Sequence, residues 1–195
     1  MIICLIGLIV GSCFGIFFSN EDTGGQPMTE VVREINTDYE TRLDEIQAFV
    51  AYDVLEMSGS RAVWKEVLAI YAVKTTTDPD NPQEVASMTD EKKGLLKSIF
   101  WEMNEISSRT ETKTETVIEE SDDGHGNIVE EEVTVTQLYL YIFVSHKTAD
   151  EMADTYGFNA DQRDQLAELL ADEKNALWTA VLYGITGTDE QIVAV

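Results

Sequence analysis

The pattern of apolar and polar positions begins with a long uncharged stretch at the N-terminus. Residues 2–18, IICLIGLIVGSCFGIFF, contain no charged side chain. As a helix this stretch would be about 25 Å long, close to the roughly 30 Å hydrocarbon core of a bilayer. We therefore expect a single transmembrane anchor at 1–19, followed by a Gly-rich polar linker at 20–27.

The flanks of this stretch bear on its orientation and processing. No Lys or Arg precedes it, so the positive-inside rule cannot be applied in full. The residues that follow, SNEDTGGQPMTE, are acidic and loop-like, which favours an extracytoplasmic location for the rest of the chain. An alternative is a lipoprotein, because Val10-Gly11-Ser12-Cys13 resembles a lipobox. The short leader without positive charge, and the apolar FGIFF after Cys13, favour an uncleaved anchor.

Helical spacing of apolar residues starts at Met28. A first amphipathic helix is predicted with apolar positions at Met28, Val31, Val32, Ile35, Tyr39, Leu43 and Ile46. Its pattern suits either an exposed stalk or a packed core helix. We predict an irregular stretch at 49–57, and then a second helix capped by Ser60. This second helix is apolar almost all round and should lie in the core.

A break with two prolines, TTTDPDNP at 75–82, separates the second helix from a third. The third helix is predicted to start at Thr89-Asp90-Glu91 and to carry apolar residues as far as Ile106. The pattern then changes period. Residues 110–144 alternate as β-strands do, with a turn at DDGHGN, residues 122–127.

This β-region predicts a long hairpin with a buried base and a charged, exposed tip. One face of its second strand holds Val133, Val135, Tyr139, Tyr141 and Phe143, and the other holds Leu138, Leu140, Ile142 and Val144. A calcium loop at DDGHGN is the alternative to a plain turn. The alternating oxygen ligands and the distal glutamate of such loops are missing, which favours a turn.

Three further helices are predicted after the hairpin. Thr148 should cap the first and Asn159 the second, with Gly157 between them at the end of the first helix. A new helix start at Thr188-Asp189-Glu190 indicates that a further domain has been removed. The predicted fold class is α+β: a mainly helical domain over 28–187 with one long hairpin after its third helix, and the start of a missing domain at 188–195.

Composition narrows the function. The formal net charge of −24 argues against nucleic-acid binding and against a DNA-binding role for the last helices. The cysteines, Cys4 and Cys13, both lie in the apolar N-terminus. The folded region therefore has no thiol nucleophile and no cysteine-based metal site. We expect no cofactor and no metal.

Four segments of the chain resemble a known family. They are EMSGSRAVW at 56–64, LAIYAVKTTTDPDNPQEVA, FWEMNEISSRTETKTETVIE, and YGFNADQRDQLAELLADEKNALWTAVLYGI. They resemble the N-terminal, pre-catalytic half of cell-wall hydrolases carried by integrative conjugative elements of Firmicutes. In that family a transmembrane helix precedes this region and a CHAP-type or NlpC-type cysteine peptidase domain follows it. No catalytic residue of that peptidase carries over to this chain.

The resemblance implies a membrane-anchored, extracytoplasmic spacer or docking domain of a hydrolase that opens peptidoglycan for DNA transfer. The partners it implies are the membrane, proteins of the conjugation channel and peptidoglycan. A basic partner would be recruited by the Glu-rich hairpin, with Glu130, Glu131 and Glu132 as the candidate docking residues.

The alternative is a lysozyme-like muramidase domain, which needs a glutamate with a raised pKa beside a sugar cleft. Such folds place this acid near the end of a core helix like WKEVLAIYAVK, where this chain has Lys74-Thr75. The available glutamates are Glu66, Glu102 and Glu105. The two histidines, His125 and His146, have no serine or cysteine pattern beside them that makes a nucleophile. We expect both to be structural or exposed, and the muramidase to be degenerate.

Overall fold

The protein adopts an α+β fold, as predicted. A computed structural model describes residues 28–77, 88–122 and 128–186. This part of the chain contains six α-helices and a three-stranded sheet. The elements are α1 (Met28–Phe49), β1 (Val54–Gly59), α2 (Trp64–Thr76), α3 (Asp90–Met103), β2 (Asn104–Asp122), β3 (Ile128–His146), α4 (Ala149–Thr155), α5 (Ala160–Leu170), a 3-10 turn (Asp172–Lys174) and α6 (Asn175–Thr186).

The described residues form two compact units. The first unit contains 28–40, 60–77, 88–105 and 145–186, and the second contains 41–59, 106–122 and 128–144. Helix α2 is the centre of the first unit, where it contacts α3, α4, α5 and α6. Because its sequence is apolar all round, α2 can be covered on every side. The predicted core position of this helix is confirmed, since the whole run from Val67 to Val73 is buried.

Aromatic side chains join three helices inside the first unit. Phe100 of α3 stacks on Trp64 of α2, with ring centroids 5.2 Å apart, and meets the edge of Tyr39 of α1 at 5.9 Å. The side-chain oxygen of Asn36 accepts hydrogen bonds from Arg61 at 3.0 Å and from the Trp64 indole at 3.1 Å. These contacts show that the N-terminal part of α1 is a packed core helix rather than a stalk.

Three predicted helix starts are confirmed. The side chains of Thr89, Thr148 and Asn159 each accept a backbone N–H of the helix they precede. Thr148 and Asn159 form complete capping boxes with Glu151 and Gln162. The prediction for Ser60 is wrong. Helix α2 begins four residues later, at Trp64, and its N-cap Val63 makes no side-chain cap.

Helix α3 also ends earlier than predicted. It stops at Met103 rather than near Ile106, and β2 starts at once with Asn104. The buried Asn104 side chain explains this end. Its amide donates to the carbonyl of Phe100 at 2.7 Å, and its oxygen accepts from the backbone of Ala62 at 2.6 Å. The side chain thus gives the Phe100 carbonyl a second donor beside the backbone N–H of Asn104, and it accepts a backbone N–H on the approach to α2.

The sheet of the second unit has the strand order β1-β3-β2. The irregular stretch predicted at 49–57 is wrong in its second half, because Val54–Gly59 forms β1 and pairs in parallel with Tyr139–Val144 of β3. The last pair of this ladder, Gly59 with Val144, requires a glycine. Its φ is +90°, and a Cβ added there would lie 1.8 Å from the carbonyl oxygen of Val144.

Strands β2 and β3 are antiparallel. The hydroxyls of Thr114 and Thr136 lie 3.3 Å apart, and the Arg109 guanidinium lies 4.2 Å from the ring of Tyr141. As residue numbers fall along β2, the numbers of the residues opposite them on β3 therefore rise. The backbone N–H of Lys147 donates to the carbonyl of Met103 at 2.8 Å, and this pair has the same register as the two pairs above.

The ribbon formed by β2 and β3 changes in burial along its length. Leu140 and Ile142 of β3 are 1% and 0% exposed, whereas Ile128 and Ile118 near the other end are 72% and 65% exposed. The buried base and exposed, Glu-rich end agree with the predicted pattern. Strand β2 begins at Asn104, earlier than the predicted Thr110.

No helix among the described residues is long and apolar enough to cross a membrane. The predicted anchor at 1–19, the linker at 20–27 and the new helix start at 188–195 lie outside the described residues. So do the centre of the DDGHGN turn, with His125, and most of the proline-containing break after Thr77.

Candidate functional site

Glu66, the first of the three candidate acids, holds two helices together. Its carboxylate oxygen accepts a hydrogen bond from the backbone N–H of Ala149 at 2.9 Å. Ala149 is the first residue of α4, where helix N–H groups have no partner within the helix. Negative charge is also favourable at a helix N-terminus. Glu66 therefore has a structural role at this position.

Glu102, the second candidate, is exposed and hydrogen-bonded. Its carboxylate accepts from the hydroxyl of Ser98 at 2.8 Å and from the phenol of Tyr156 at 2.9 Å. Burial, and then the hydrogen bond and the negative charge of Glu102, raise the pKa of Tyr156 well above its usual value. The Tyr156 phenol therefore stays protonated and donates to Glu102.

The end of α2, where lysozyme-like folds carry their acid, has the opposite charge here. The ammonium of Lys74 lies 3.3 Å from the centre of the Tyr156 ring, a close cation–π contact. Thr75 is buried, and its hydroxyl donates to the carbonyl of Tyr71 at 2.7 Å. Lys74, Tyr156 and Glu102 thus form one connected cluster, whereas Glu105 is exposed at the start of β2.

His146 is exposed and bonded to the backbone. Its Nδ1 lies 2.8 Å from the carbonyl oxygen of Ser60 and 3.5 Å from the Ser60 hydroxyl. A carbonyl oxygen can only accept, so Nδ1 carries the proton and donates to it. In this tautomer Nδ1 cannot take a proton from Ser60, and the pair does not have the geometry of a nucleophile with its base.

A row of aromatic rings and cations covers one face of the sheet in the second unit. The rings of Tyr139, Tyr141 and Phe143 are nearly parallel, with successive centroids 6.0 and 6.2 Å apart. Lys113 lies 4.2 Å from the ring of Tyr139 and 5.5 Å from that of Tyr141, and Arg109 bridges Tyr141 and Phe143 at 4.2 and 5.7 Å. A hydrogen bond with Tyr141 raises the pKa of Lys113. These rings lie on the face of β3 that the sequence pattern predicted, whereas the cations above them were not predicted.

The predicted docking residues lie on the exposed end of the ribbon. Glu130, Glu131 and Glu132 of β3 are all exposed. The register places Glu120 opposite Glu130 and Glu119 opposite Glu131. Like charges directly opposite each other destabilise a strand pair. The structure therefore places several negative charges close together on both faces of this end.

The second unit also contains an open groove that the sequence did not indicate. Its volume is about 830 Å³, and it lies between the C-terminal part of α1 and strand β2. Apolar lining comes from Ile46, Phe49, Val50 and Leu140, and polar lining includes Arg42, Glu45, Ser108, Arg109 and Thr110. Phe49 lines this groove and is 89% exposed to solvent. This volume is within the range of small-ligand and peptide sites.

The described residues contain no group of three His, Cys, Asp or Glu side chains placed to hold a metal ion. Comparison with known proteins finds no significant match to this chain among protein-family models, curated proteins or solved structures.

Proposed function

We propose that this chain is the membrane-anchored, extracytoplasmic spacer and docking region of a peptidoglycan hydrolase that serves conjugative DNA transfer. In this proposal an N-terminal transmembrane helix at 1–19 holds the region at the cell membrane. A peptidase or amidase domain beyond residue 188 cuts the wall. The region described here positions that domain and recruits the conjugation machinery.

The exposed end of the β2–β3 ribbon is the observation that carries the docking role. A two-stranded ribbon has little stability of its own in water, and its glutamates at 119, 120, 130 and 131 repel one another across the strands. Such an end gains stability from a partner that supplies positive charge. A basic surface on a channel protein would meet this requirement.

The positions of two candidate acids support a non-catalytic role. Glu66 accepts a backbone N–H of α4, and Glu102 accepts two hydroxyl groups. A muramidase acid must instead remain protonated in an apolar pocket so that it can give its proton to the glycosidic oxygen.

Charge reversal on the ribbon tests the docking role. Replacing Glu130, Glu131 and Glu132 with Lys should abolish co-purification of the conjugation-channel proteins from cells that carry the element. The fold should remain intact by circular dichroism. Reversal of three other exposed acids, Glu40, Asp164 and Glu173, is the matched control and should leave recruitment unchanged. Normal recruitment by the ribbon variant would refute the docking role.

The second candidate function is a degenerate lysozyme-like domain that binds peptidoglycan. The observation that favours it is the buried helix α2 at the centre of a helical unit. A zymogram on purified peptidoglycan and co-sedimentation of the chain with insoluble peptidoglycan together separate the two. Release of glycan fragments with reducing ends would show an active muramidase, and co-sedimentation without release would show the degenerate, binding form. Neither release nor co-sedimentation, together with normal folding, supports the spacer.

A further inference from the structure

The outer edge of strand β2 lies beside the groove and turns some of its backbone groups away from β3. In an antiparallel pair, opposing residues alternate between those that exchange two backbone hydrogen bonds and those that do not. Met103, the last residue of α3, and Lys147 have the register of the first kind and form one of its two bonds, since Lys147 donates to the Met103 carbonyl at 2.8 Å. Thr114 and Thr136, eleven positions further along each strand, belong to the second kind. Their hydroxyls are accordingly close, at 3.3 Å.

This alternation fixes the direction of each backbone group on β2. Odd-numbered residues turn their N–H and C=O groups towards β3, and even-numbered residues turn them away from it. Strand β3 agrees with this assignment. The backbone of Leu138 faces the β1 side, where its carbonyl accepts from Asp53 at 2.8 Å and its N–H donates to the Asp53 carboxylate at 2.7 Å.

The backbone N–H and C=O groups of Ser108 and Thr110 therefore point away from β3, at the outer edge of the sheet. Strand β2 is an edge strand in the sheet of described residues. Both residues are exposed, and both line the groove. An exposed strand edge of this kind is a template for a further strand.

The side chains of the groove indicate which peptide fits. Ile46, Phe49 and Val50 of the α1 side give it an apolar wall, which suits an aliphatic side chain. Arg42 supplies positive charge beside this wall, and Arg109 supplies it on the opposite face of the sheet, where its guanidinium lies over Tyr141, although the second unit as a whole is acidic. Each arginine uses one terminal nitrogen for a neighbouring acid, Arg42 for Glu45 at 3.3 Å and Arg109 for Glu111 at 2.7 Å. A guanidinium has five N–H donors, so each can also bind a carboxylate of a ligand.

We infer that this groove binds an extended peptide with alternating acidic and aliphatic side chains, which adds to the sheet as a fourth strand beside β2. The peptide backbone pairs with Ser108 and Thr110. Because successive side chains of a strand point to opposite faces, an aliphatic side chain lies against Phe49 and the next side chain, a carboxylate, reaches Arg109 on the other face of the sheet. This site goes beyond the proposed docking role, because the glutamates of the ribbon select a partner of the opposite charge. Failure of one therefore leaves the other standing.

A proline substitution provides a direct test. Thr110→Pro removes an N–H that points away from β3, so the ladder to β3 is kept while the fourth strand loses a donor. The probe is a fluorescein-labelled hexapeptide of alternating Val and Glu, titrated with the full 195-residue chain in mild detergent and followed by fluorescence anisotropy. Thr110→Pro should weaken binding about tenfold or more. Thr116→Pro, the same change on the same edge away from the groove, should alter binding less than twofold.

Two further variants change side chains on the two faces that an added strand would contact, without altering its backbone pairing. Phe49→Ala and Arg109→Gln change exposed side chains, and each should weaken binding about fivefold or more. A Val–Lys peptide should bind at least tenfold more weakly than the Val–Glu peptide. Equal affinity of the two peptides, or unchanged binding by Thr110→Pro and Phe49→Ala, would overturn the proposal. Self-association of the chain that is lost in Thr110→Pro, without peptide binding, would overturn it in favour of a second copy.

Discussion

The carboxylate of Glu66 accepts the backbone N–H of Ala149 at 2.9 Å, although the two residues are 83 positions apart in the sequence. This bond ties the central helix α2 to the first turn of α4. The carboxylate acts as a cap supplied by another helix, in addition to the capping box that Thr148 and Glu151 make within α4 itself.

Removing this cap should destabilise the protein. Glu66→Ala leaves the Ala149 N–H without its partner, and we expect the free energy of unfolding to fall by about 1–2 kcal/mol. Urea unfolding followed by circular dichroism measures this. Glu105→Ala, which alters an exposed glutamate, is the control and should change stability by less than about 0.5 kcal/mol. Equal stability of both variants would show that the bond contributes nothing.

Gly59 is the position most sensitive to a small substitution. The Cβ of Gly59→Ala would collide with the carbonyl oxygen of Val144, and the φ of +90° is unfavourable for alanine. We expect a loss of about 3 kcal/mol or more in the free energy of unfolding. Gly94→Ala is the matched control, because Gly94 lies within helix α3 with no atom within 4 Å of an added Cβ. There the same substitution should stabilise the protein by about 0.5–1 kcal/mol.

Two tyrosines should make stability fall at alkaline pH. Burial raises the pKa of Tyr71 to about 12, and burial together with Glu102 raises the pKa of Tyr156. Above about pH 10 the unfolded chain loses these protons while the folded chain keeps them, so deprotonation favours the unfolded state. The stabilising contribution is complete below pH 10 and is lost as pH rises through the folded-state pKa values.

Unfolding free energies measured between pH 8 and 11.5 test this expectation. The decline above pH 10 should be shallower in Tyr156→Phe and in Tyr71→Phe than in the unchanged protein. A decline of the same steepness in all three proteins would contradict the assignment.

Charge repulsion across the ribbon predicts a stabilising substitution. Glu120→Lys places a cation opposite Glu130, and we expect the pairing of β2 and β3 near this end to gain about 0.5 kcal/mol. Hydrogen exchange of the amides of 116–120 and 130–134 should slow at low salt, and the gain should shrink as salt screens the charges. Glu120→Gln, which only removes repulsion, should give a smaller effect. Faster exchange in Glu120→Lys would mean that the register is different.

Local signals in the sequence predicted local structure well. The caps at Thr89, Thr148 and Asn159 were identified correctly, because a capping side chain bonds to a backbone N–H a few residues away and leaves its signature in one short window. The buried position of α2 was also predictable, since a helix that is apolar all round must be covered on all sides.

Long-range pairing was not predictable in the same way. Strand β1 was missed because its partner lies far along the chain, and its own residues, VLEMSG, show no clean alternation. Ser60 resembled a cap, but its carbonyl oxygen instead accepts from His146. The extent of α3 was overestimated because the role of Asn104 depends on the distant backbone of Ala62.

The candidate sites divide in a similar way. The exposed glutamates of the ribbon could be identified from charge and alternation alone. The hydrogen bonds of Glu66 with Ala149 and of Glu102 with Tyr156 could not be predicted, because each depends on a residue from a distant segment. The groove beside β2 was not predictable either, since it requires the end of α1 and the edge of a strand more than fifty residues away to line one space.

The parallel pairing of β1 with β3 has a consequence for how the chain reaches its native state. The Asp53–Leu138 contact closes a loop of 85 residues, and closing so long a loop costs conformational entropy before any contact forms. The ribbon of β2 and β3, by contrast, closes through a short connection. We therefore expect the ribbon to assemble early and β1 to add late. A fragment limited to 106–144 would lack strand β1 and should therefore form a less stable sheet than the whole protein does.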